Sequence, residues 1–221
     1  MIVKKRIFIT FEGAEGSGKS TQIVLLAERL RAAGAEVVVT CEPGGTPVGD
    51  RVRALVLDVS HAGMASRTEL LLYEASRAEL VSAVIGPALE RGAVVLCDRF
   101  ADSSTAYQAY GRGLPLAEVL ALNLLATGGV SSDLTLLLDL EPAEGLARAT
   151  GAATADRLES EDLDFHERVR AGFLAIAGGE PLRVRVHDAS AGPDEVAQRV
   201  AGAVREAAAT IPALGALSEG H

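Results

Sequence analysis

The segment Phe11-Glu12-Gly13-Ala14-Glu15-Gly16-Ser17-Gly18-Lys19-Ser20-Thr21 decides the fold of this chain. It has the pattern G-x-x-x-x-G-K-S/T of a Walker A phosphate-binding loop. An apolar run, 7–11, precedes it and a helical pattern, 22–31, follows it, which is the strand–loop–helix setting that such a loop needs. Glycines let backbone N–H groups turn toward phosphate oxygens, and the helix N-terminus adds partial positive charge. The segment therefore predicts a phosphate site in which Lys19 reaches the β- and γ-phosphates and Ser20 is a ligand of Mg²⁺; the alternative is an ordinary glycine turn.

The length and patterning of the chain predict a single domain. A chain of 221 residues is long enough for one sizeable α/β domain. Residues 147–162 are rich in Ala and Thr and interrupt two helical patterns, which predicts either a surface loop or a closing lid. Residues 210–221 have small side chains without periodicity, which favours a disordered tail. The predicted domain spans residues 1–209, with the lid at about 147–162.

Charge and cysteine content limit the class of partner. The net charge of −9 argues against non-specific binding to nucleic acid, which needs a basic surface. The chain has only two cysteines, Cys41 and Cys97, which favours a reducing cytoplasm over a disulfide framework. Residues 1–6 are too short and too charged for a signal peptide, and no apolar run reaches the length of a membrane span. We therefore expect a cytoplasmic protein with neither nucleic-acid nor membrane partners.

Apolar runs alternate with helical patterns along the chain. The runs that predict buried strands are 7–11, 36–41, 93–97, 134–138 and 182–186. The helical patterns are 22–31, 48–57, 66–91 with a bend at Pro87, and 193–209. This order predicts an α/β fold of the P-loop NTPase type, in which a parallel five-stranded sheet has helices on both faces and carries a small mobile lid. Ligands of such sheets bind at the carboxyl ends of the strands, where Glu12, Glu42, Asp98 and Asp139 fall.

A second informative segment, Asp98-Arg99-Phe100-Ala101-Asp102-Ser103-Ser104-Thr105-Ala106-Tyr107-Gln108, begins at the end of a predicted strand. An acid and an arginine that face the same crevice as Lys19 suit Mg²⁺ and phosphate. The alternative is a surface ion pair that caps the next helix. Ser, Tyr and Gln side chains further along supply polar groups able to read a small planar ligand. The histidines show no metal-ligand spacing, and His166 is expected on a helix surface.

Several spaced motifs together carry a resemblance to a known family. They are FEGAEGSGKST, EPGGT, LLLYEASR, DRFADSSTAYQ and HDAS, and they extend over about residues 7–200. The chain resembles the thymidylate kinases, a family of P-loop nucleoside monophosphate kinases. The first motif alone indicates only a P-loop protein, whereas EPGGT followed by DRF-x-x-SS-x-AYQ narrows the resemblance to this family.

The resemblance implies a set of site residues. For ATP they are Gly13, Ala14, Glu15, Gly16, Ser17, Gly18, Lys19, Ser20, Thr21, Arg148 and Ala189, with the last two bordering the adenine. For dTMP they are Glu12, Glu42, Pro43, Arg53, Tyr73, Arg77, Arg99, Ser104, Tyr107 and Gln108. Lys19, Arg99, Arg148 and Arg157 are implied to be catalytic, and Ser20 and Asp98 to hold Mg²⁺.

Individual roles within the dTMP site follow from the same resemblance. They are Glu12 beside the sugar 3′-hydroxyl, Arg53 and Arg99 on the phosphate, Tyr73 stacked on thymine, Arg77 donating to its carbonyl, Ser104 and Gln108 on the base, and Tyr107 under the deoxyribose. Residue patterns leave alternatives for two of them. Tyr73 lies on an apolar helix face and by itself is more typical of a core residue, although Arg77 one turn later favours a site. Arg53 by itself is typical of a solvated helix charge.

The chain departs from the family pattern at several positions. Cys41 replaces the arginine that usually precedes EPGGT, and Phe100 replaces the tyrosine of the usual DRY. Gly16 stands where one subgroup carries a catalytic arginine in the phosphate loop, so the chain resembles the subgroup whose lid supplies it. The lid is arginine-poor, because Thr150 and Ala152 stand where relatives often have arginine.

Two lid arginines are therefore open to the phosphate role. Arg148 occupies the position implied to stack on adenine, so we expect Arg157 to swing in and contact the phosphates. The alternative is that Asp156 and Arg157 form an exposed helix start.

The implied reaction is phosphoryl transfer from Mg-ATP to dTMP, which gives ADP and dTDP for dTTP synthesis. A dianionic nucleotide needs no general base, since the second pKa of a phosphate is about 6. The family resemblance also implies a homodimer. Two alternatives remain: a P-loop kinase of another small nucleoside or nucleotide, and a non-catalytic nucleotide-dependent switch.

Overall fold

The carboxyl ends of five parallel strands form the edge at which the site is built. A computed structural model of the chain describes residues 7–150 and 156–210. Its strands are β1 (Ile7–Glu12), β2 (Val37–Cys41), β3 (Val94–Asp98), β4 (Leu134–Asp139) and β5 (Val184–Asp188). They form one sheet in the order β2-β3-β1-β4-β5, and every pairing is parallel. The predicted five-stranded parallel sheet is confirmed.

Register aligns the ends of β2 and β3 with each other, and the ends of β4 and β5 with each other. Asp98 is the partner of both Phe11 and Cys41, and Asp139 is the partner of Asp188. Because Phe11 is also the partner of Leu136, β4 and β5 extend further than β2 and β3 at the carboxyl edge, where a crevice is expected.

Helices connect the strands and cover both faces of the sheet. They are α1 (Lys19–Ala32), α2 (Pro47–Leu57), α3 (Ser66–Leu80), α4 (Gly86–Glu90), α5 (Ala101–Ser104), α6 (Leu116–Thr127), α7 (Pro142–Thr150), α8 (Leu163–Gly179) and α9 (Pro193–Thr210). On one face, alternate residues of β1, such as Ile7, Ile9 and Phe11, share one apolar cluster with residues of α1 and α9. On the other face, Phe8 packs with Leu80, Ile85 and Phe100. The alternation follows the two-residue period of a strand, and near-continuous apolar strands are typical of a sheet buried on both sides.

Two of the differences from the predicted boundaries have a clear local reason. The helix predicted over 66–91 is divided, because a π-helical stretch, Val81–Ile85, separates α3 from α4. Pro87 has no N–H for the preceding turn, so a wider turn before it accommodates the ring. Strand β5 begins at Val184 instead of residue 182, because Leu182 is 82% exposed in the turn that follows α8.

The predicted lid is described at its two ends only. Residues 142–150 belong to α7, and residues 156–162 form turns that lead into α8. The expectations that fall on residues 151–155 and on the tail at 211–221 lie outside the described residues. None of the helices in the described ranges combines the length and apolar character needed to span a bilayer.

Candidate nucleotide-binding site

The phosphate loop connects β1 to α1 with its lysine folded back over it. Lys19 Nζ donates to the carbonyl oxygens of Gly13 (3.1 Å) and Ala14 (2.9 Å). Burial, followed by the nearby charge of Arg99, lowers the pKa of Lys19 to about 8. Gly18 precedes the helix in a left-handed conformation, with φ of 86°. The helix N-terminus and the ammonium group thus lie at the same loop, as anion binding requires.

The backbone of α7 contacts the phosphate loop through two glycines. Gly16 has φ of 69°, and a Cβ built on it would lie only 2.1 Å from the carbonyl oxygen of Gly145. A Cβ on Gly145 would lie 2.4 Å from the carbonyl oxygen of Glu15. Because backbone atoms occupy this space, a side chain at position 16 requires the loop or α7 to move. The absence of a loop arginine therefore has a local steric reason in this chain.

Ser20 and Asp98 form an oxygen pair beside the loop. Ser20 Oγ donates to Asp98 Oδ2 over 2.9 Å, where the start of α1 meets the end of β3. A hydroxyl and a carboxylate are hard oxygen donors of the kind that Mg²⁺ prefers, and Mg²⁺ usually takes only one or two protein ligands beside phosphates. The two residues fit the predicted metal role.

Arg99 spans the loop and the pocket beyond it. Its backbone is left-handed, with φ of 70°, an uncommon conformation for a non-glycine residue. The guanidinium donates to the carbonyl of Gly13 (3.0 Å) and to Glu15 Oε1 (3.0 Å), and it stacks on Tyr107 at 5.1 Å. Its side chain therefore points into the crevice beside Lys19, as the sequence predicts.

Glu12 lies beneath the cavity instead of at its surface. The side chain is fully buried, and its oxygens accept from the Phe100 N–H (2.7 Å) and from Ser103 Oγ (2.6 Å). Burial, followed by the charge of Asp102, raises the pKa of Glu12 to about 8. These hydrogen bonds to Phe100 and Ser103 hold the turn that carries Arg99 in place. The structure does not support the expected contact between Glu12 and a sugar hydroxyl.

Glu15 is the loop carboxylate that lines the cavity. Its Oε1 accepts from the Tyr107 hydroxyl over 2.5 Å, and His166 Nδ1 lies 3.6 Å from Oε2. Burial acts to raise the pKa of Glu15, but His166, Arg99 and Lys19 together hold it well below its usual range. The expectation that His166 is a surface residue is wrong, since it is only 1% exposed. The sequence carries no signal for this position, because a helical pattern does not show which carboxylate a buried histidine will meet.

One cavity of about 610 Å³ joins the loop to a pocket behind it. The predicted site residues that line it are Glu15, Gly16, Lys19, Ser20, Glu42, Pro43, Arg53, Tyr73, Arg77, Asp98, Arg99, Ser104, Tyr107 and Gln108. The predicted residues that do not line it are Glu12, Gly13, Ala14, Ser17, Gly18, Thr21, Arg148, Arg157 and Ala189. Such a volume suits a nucleotide-sized ligand.

Arg77 is a buried anchor at the back of this cavity. Its acceptors are Glu42 Oε2 (2.8 Å), Glu74 Oε1 (2.6 Å), Asn123 Oδ1 (2.7 Å), Ser104 Oγ (3.0 Å) and the Phe100 carbonyl (3.1 Å). If Arg77 donates to a base carbonyl, that hydrogen bond must replace or share one of the bonds that Arg77 already makes. The partners Glu74 and Asn123 were not identified from the sequence: Glu74 lies within LLLYEASR but was assigned no role, and Asn123 lies on α6 outside any motif.

Arg53, on α2, and Cys41, at the end of β2, also line the cavity. Arg53 is exposed, and its Nη1 donates to the carbonyl of Pro43 over 3.0 Å. The Cys41 thiol lines the cavity, and burial raises its pKa. The second thiol, Cys97, is fully buried in the sheet.

Arg157 lies in a buried ionic cluster around Glu69. It is 3% exposed; Nε donates to the carbonyl of Val56 over 2.7 Å, and Nη2 lies 2.7 Å from Glu69 Oε2. The alternative of an exposed helix start is therefore wrong for Arg157. To reach the phosphates it has to leave both partners, so the structure does not support the expected inward swing.

Arg148 lies on α7 next to the phosphate loop. Its guanidinium donates to the carbonyl oxygens of Ala189 (3.0 Å) and Ser190 (3.0 Å) and to Glu144 (2.6 Å). Its Cβ lies 3.1 Å from the position of a Cβ built on Gly16. This places Arg148 between the loop after β5 and the phosphate loop, where the sequence predicts an adenine border.

The fold and the site define a class of protein. A phosphate loop at the carboxyl edge of a parallel sheet, with a second pocket that shares its lysine and arginine, is the arrangement of a P-loop kinase that acts on small molecules.

The comparisons with known proteins name the family. The thymidylate kinase family profile matches residues 11–200. Thymidylate kinase from Deinococcus radiodurans is 54% identical over 200 residues, which cover 90% of this chain and 97% of that protein. The enzyme from Geobacter sulfurreducens is 53% identical, covering 88% and 94%. The crystal structure of thymidylate kinase from Ehrlichia chaffeensis matches with a TM-score of 0.75 and 36% identity, covering 90% and 98%. The chain belongs to the thymidylate kinase family.

Proposed function

We propose that this chain phosphorylates dTMP to dTDP with ATP as donor, a step in dTTP biosynthesis. The observation that carries the proposal is the single cavity in which Lys19 and Arg99 share space with Tyr73, Arg77 and Gln108. Cations for two phosphate chains and side chains for a planar base thus lie within one enclosure. Family membership supplies the identity of the two substrates.

The donor nucleotide occupies the loop side of the cavity. Backbone N–H groups of residues 13–21 hold the ATP phosphates, with Lys19 on the β- and γ-phosphates. Arg148 and Ala189, which already contact each other, border the adenine. Arg148 is also the lid arginine closest to the loop, so we assign it the phosphate contact in preference to Arg157.

The acceptor nucleotide occupies the pocket side. Arg53 and Arg99 hold the dTMP phosphate, Tyr73 stacks on thymine, and Tyr107 lies under the deoxyribose. Arg77, Ser104 and Gln108 contact the base. Because Glu15 lines the cavity and Glu12 does not, Glu15 takes the contact with the sugar hydroxyl.

The residues act by position and charge. An oxygen of the dTMP phosphate attacks the γ-phosphorus of ATP, and the bond to the β,γ-bridging oxygen breaks, which leaves ADP. Lys19, Arg99 and Arg148 neutralise charge that develops on the transferred group, and a closed cavity excludes water as a competing acceptor. Mg²⁺, held by Ser20 and Asp98 together with the phosphates, supplies further charge neutralisation when bound.

The cellular location, the oligomeric state and the partners of the enzyme are part of the same proposal. We infer a cytoplasmic homodimer with ATP and dTMP as its ligands and without nucleic-acid or membrane partners. Support for the dimer comes from α6, where Leu116, Leu120, Leu124 and Leu125 are between 43% and 78% exposed. An apolar face of this kind is typical of a protein–protein contact.

A coupled assay of ADP release tests the function. The wild-type chain with Mg-ATP is presented with dTMP, dUMP, UMP, dCMP and thymidine in turn. We expect the highest kcat/KM with dTMP. A preference for thymidine or for another nucleotide would support the other kinase reading, and nucleotide binding without turnover of any acceptor would support a switch protein.

A further inference from the structure

We propose that Glu69 is a positioning residue that fixes the side-chain amide of Gln108, so that this amide offers a hydrogen-bond acceptor to the base. A base with an N–H at ring position 3, such as thymine, is then favoured over cytosine. The inference rests on the proposed function, since it concerns how that pocket selects its acceptor nucleotide.

Glu69 is the centre of a buried cluster built from three parts of the chain. Its carboxylate is fully buried on α3. Oε1 accepts from Gln108 Nε2 (2.9 Å) and Arg112 Nε (3.1 Å), and Oε2 accepts from Arg112 Nη2 (3.0 Å) and lies 2.7 Å from Arg157 Nη2. Gln108 belongs to a π-helical stretch, Thr105–Gly111, and Arg157 belongs to the second described part of the predicted lid.

The two arginines keep Glu69 ionised. Burial by itself raises the pKa of a carboxyl group, but the hydrogen bonds from Arg112 and Gln108 and the charge of Arg157 hold the pKa of Glu69 below its usual value. An ionised carboxylate has no proton to donate. The Gln108 amide must therefore turn its NH₂ group toward Glu69, and the opposite amide orientation would place two acceptors against each other.

The fixed orientation leaves Gln108 Oε1 for a ligand. Gln108 lines the cavity, and among the described residues its Oε1 accepts no hydrogen bond. Thymine carries a donor N–H at position 3, whereas cytosine carries a lone pair there. Because Glu69 holds the amide in place, Gln108 cannot turn its NH₂ group toward cytosine. With cytosine bound, Gln108 Oε1 and the ring nitrogen at position 3 are therefore both left without a hydrogen-bond donor.

The test uses Glu69→Gln and the ratio of kcat/KM for dTMP to that for dCMP. A glutamine at position 69 can donate as well as accept, which frees the Gln108 amide to present either end. We expect the ratio to fall by about tenfold or more, through a higher KM for dTMP and a lower KM for dCMP with little change in kcat. If Glu69 had a purely structural role, Glu69→Gln would lower kcat/KM for dTMP and for dCMP alike. An unchanged ratio would overturn the proposal.

Two further variants sharpen this result. Glu161→Gln is the matched control, because Glu161 pairs with Arg112 over 2.7 Å but is not a partner of Gln108. It should leave the ratio unchanged, and a fall equal to that of Glu69→Gln would contradict the inference. In a Gln108→Leu background, adding Glu69→Gln should have no further effect on the ratio. A full additional effect there would show that Glu69 acts through some other group.

A measurement on the wild-type chain covers the case in which Glu69→Gln does not fold. The side-chain amide protons of Gln108, followed by NMR, should exchange slowly because one of them is bonded to a buried carboxylate. Free exchange would overturn the inference. If wild-type protein fails to use dTMP, the proposed function fails; if it uses dTMP and the ratio test fails, only the role of Glu69 is lost.

Discussion

Lys19 holds its charge at a position where burial works against it. The ammonium is satisfied by loop carbonyls in the free protein, and its pKa is lowered to about 8. A lysine is charged below its pKa and neutral above it, so the free loop loses its cation as the pH rises through about 8. Bound phosphates favour the charged form again, which links nucleotide affinity to pH.

This linkage gives a prediction at the scale of the residue. We expect kcat/KM for ATP to decline above a pH of about 8, because this parameter reports the free enzyme, while kcat stays flatter. Steady-state kinetics measured from about pH 6.5 to about pH 9.5 test this, because the alkaline decline in kcat/KM falls within that range. The pKa of Glu12 is also raised to about 8, so the Glu12→Gln variant is the control. The alkaline decline in kcat/KM should persist in this variant, which lacks the carboxyl group. A flat kcat/KM profile would contradict the assignment to Lys19.

Sequence motifs predict residues whose role depends on local spacing. Lys19, Ser20 and Asp98 are of this kind, because the loop and the strand ends determine where they lie. Glu69 and His166 could not be predicted, since each acquires its role from a partner far away in the chain. Arg157 shows the same limit, because sequence alone does not reveal that a carboxylate on α3 already holds it.

At the scale of elements, the contact between α7 and the phosphate loop depends on Gly145. Its Cβ position is filled by the carbonyl oxygen of Glu15, and the facing Gly16 is equally restricted. The helix that carries Arg148 is thereby seated on the loop that holds phosphate. Any shift between them changes the distance from Arg148 to the ATP site.

Gly145→Ala should therefore impair the enzyme without unfolding it. We expect kcat/KM for ATP to fall by about tenfold or more, because the added methyl forces the loop and α7 apart, while KM for dTMP changes less. Gly202→Ala on α9 is the matched control, since nothing lies within 4 Å of its Cβ position. It should be fully active and slightly more stable, by about 0.5–1 kcal/mol, as is usual for glycine in a helix. Equal kinetics of the two variants would refute the steric argument.

The five strands and the helices on both faces were predictable, whereas the order of the strands in the sheet, helix α6 and the exact helix geometry were not. Buried apolar runs and the glycine loop predict five parallel strands with helices on both faces. The π-helical stretch 105–111 has no comparable sequence signal, although it presents Tyr107 and Gln108 to the cavity. This stretch packs against α8, a contact that the periodicity of the sequence does not show.

At the scale of the whole molecule, the proposed dimer rests on the apolar surface of α6. Leu124 and Leu125 are 65% and 78% exposed on a helix that has Glu118 as its only charged residue. The helix packs on α3, which also supplies Tyr73 and Arg77 to the cavity. A contact between two copies across this surface would lie one helix away from the base pocket.

Leu124→Glu should therefore weaken the proposed dimer. We expect analytical ultracentrifugation to show a shift toward monomer, because a charge placed in an apolar contact opposes burial. Leu182→Glu serves as the control, since Leu182 is 82% exposed in the turn before β5. A wild-type chain that is monomeric at all concentrations would reject the dimer, and an unchanged dimer in Leu124→Glu would place the interface elsewhere.

The two cysteines of this chain differ so much in access that they offer a practical route to a binding sensor. Cys41 borders the cavity, whereas Cys97 is sealed within the sheet. An environment-sensitive fluorophore with a thiol-reactive group should therefore attach at one position without any mutagenesis, most readily in alkaline buffer because the pKa of Cys41 is raised. Its emission would then report nucleotide occupancy in real time and allow rapid mixing experiments on binding and release.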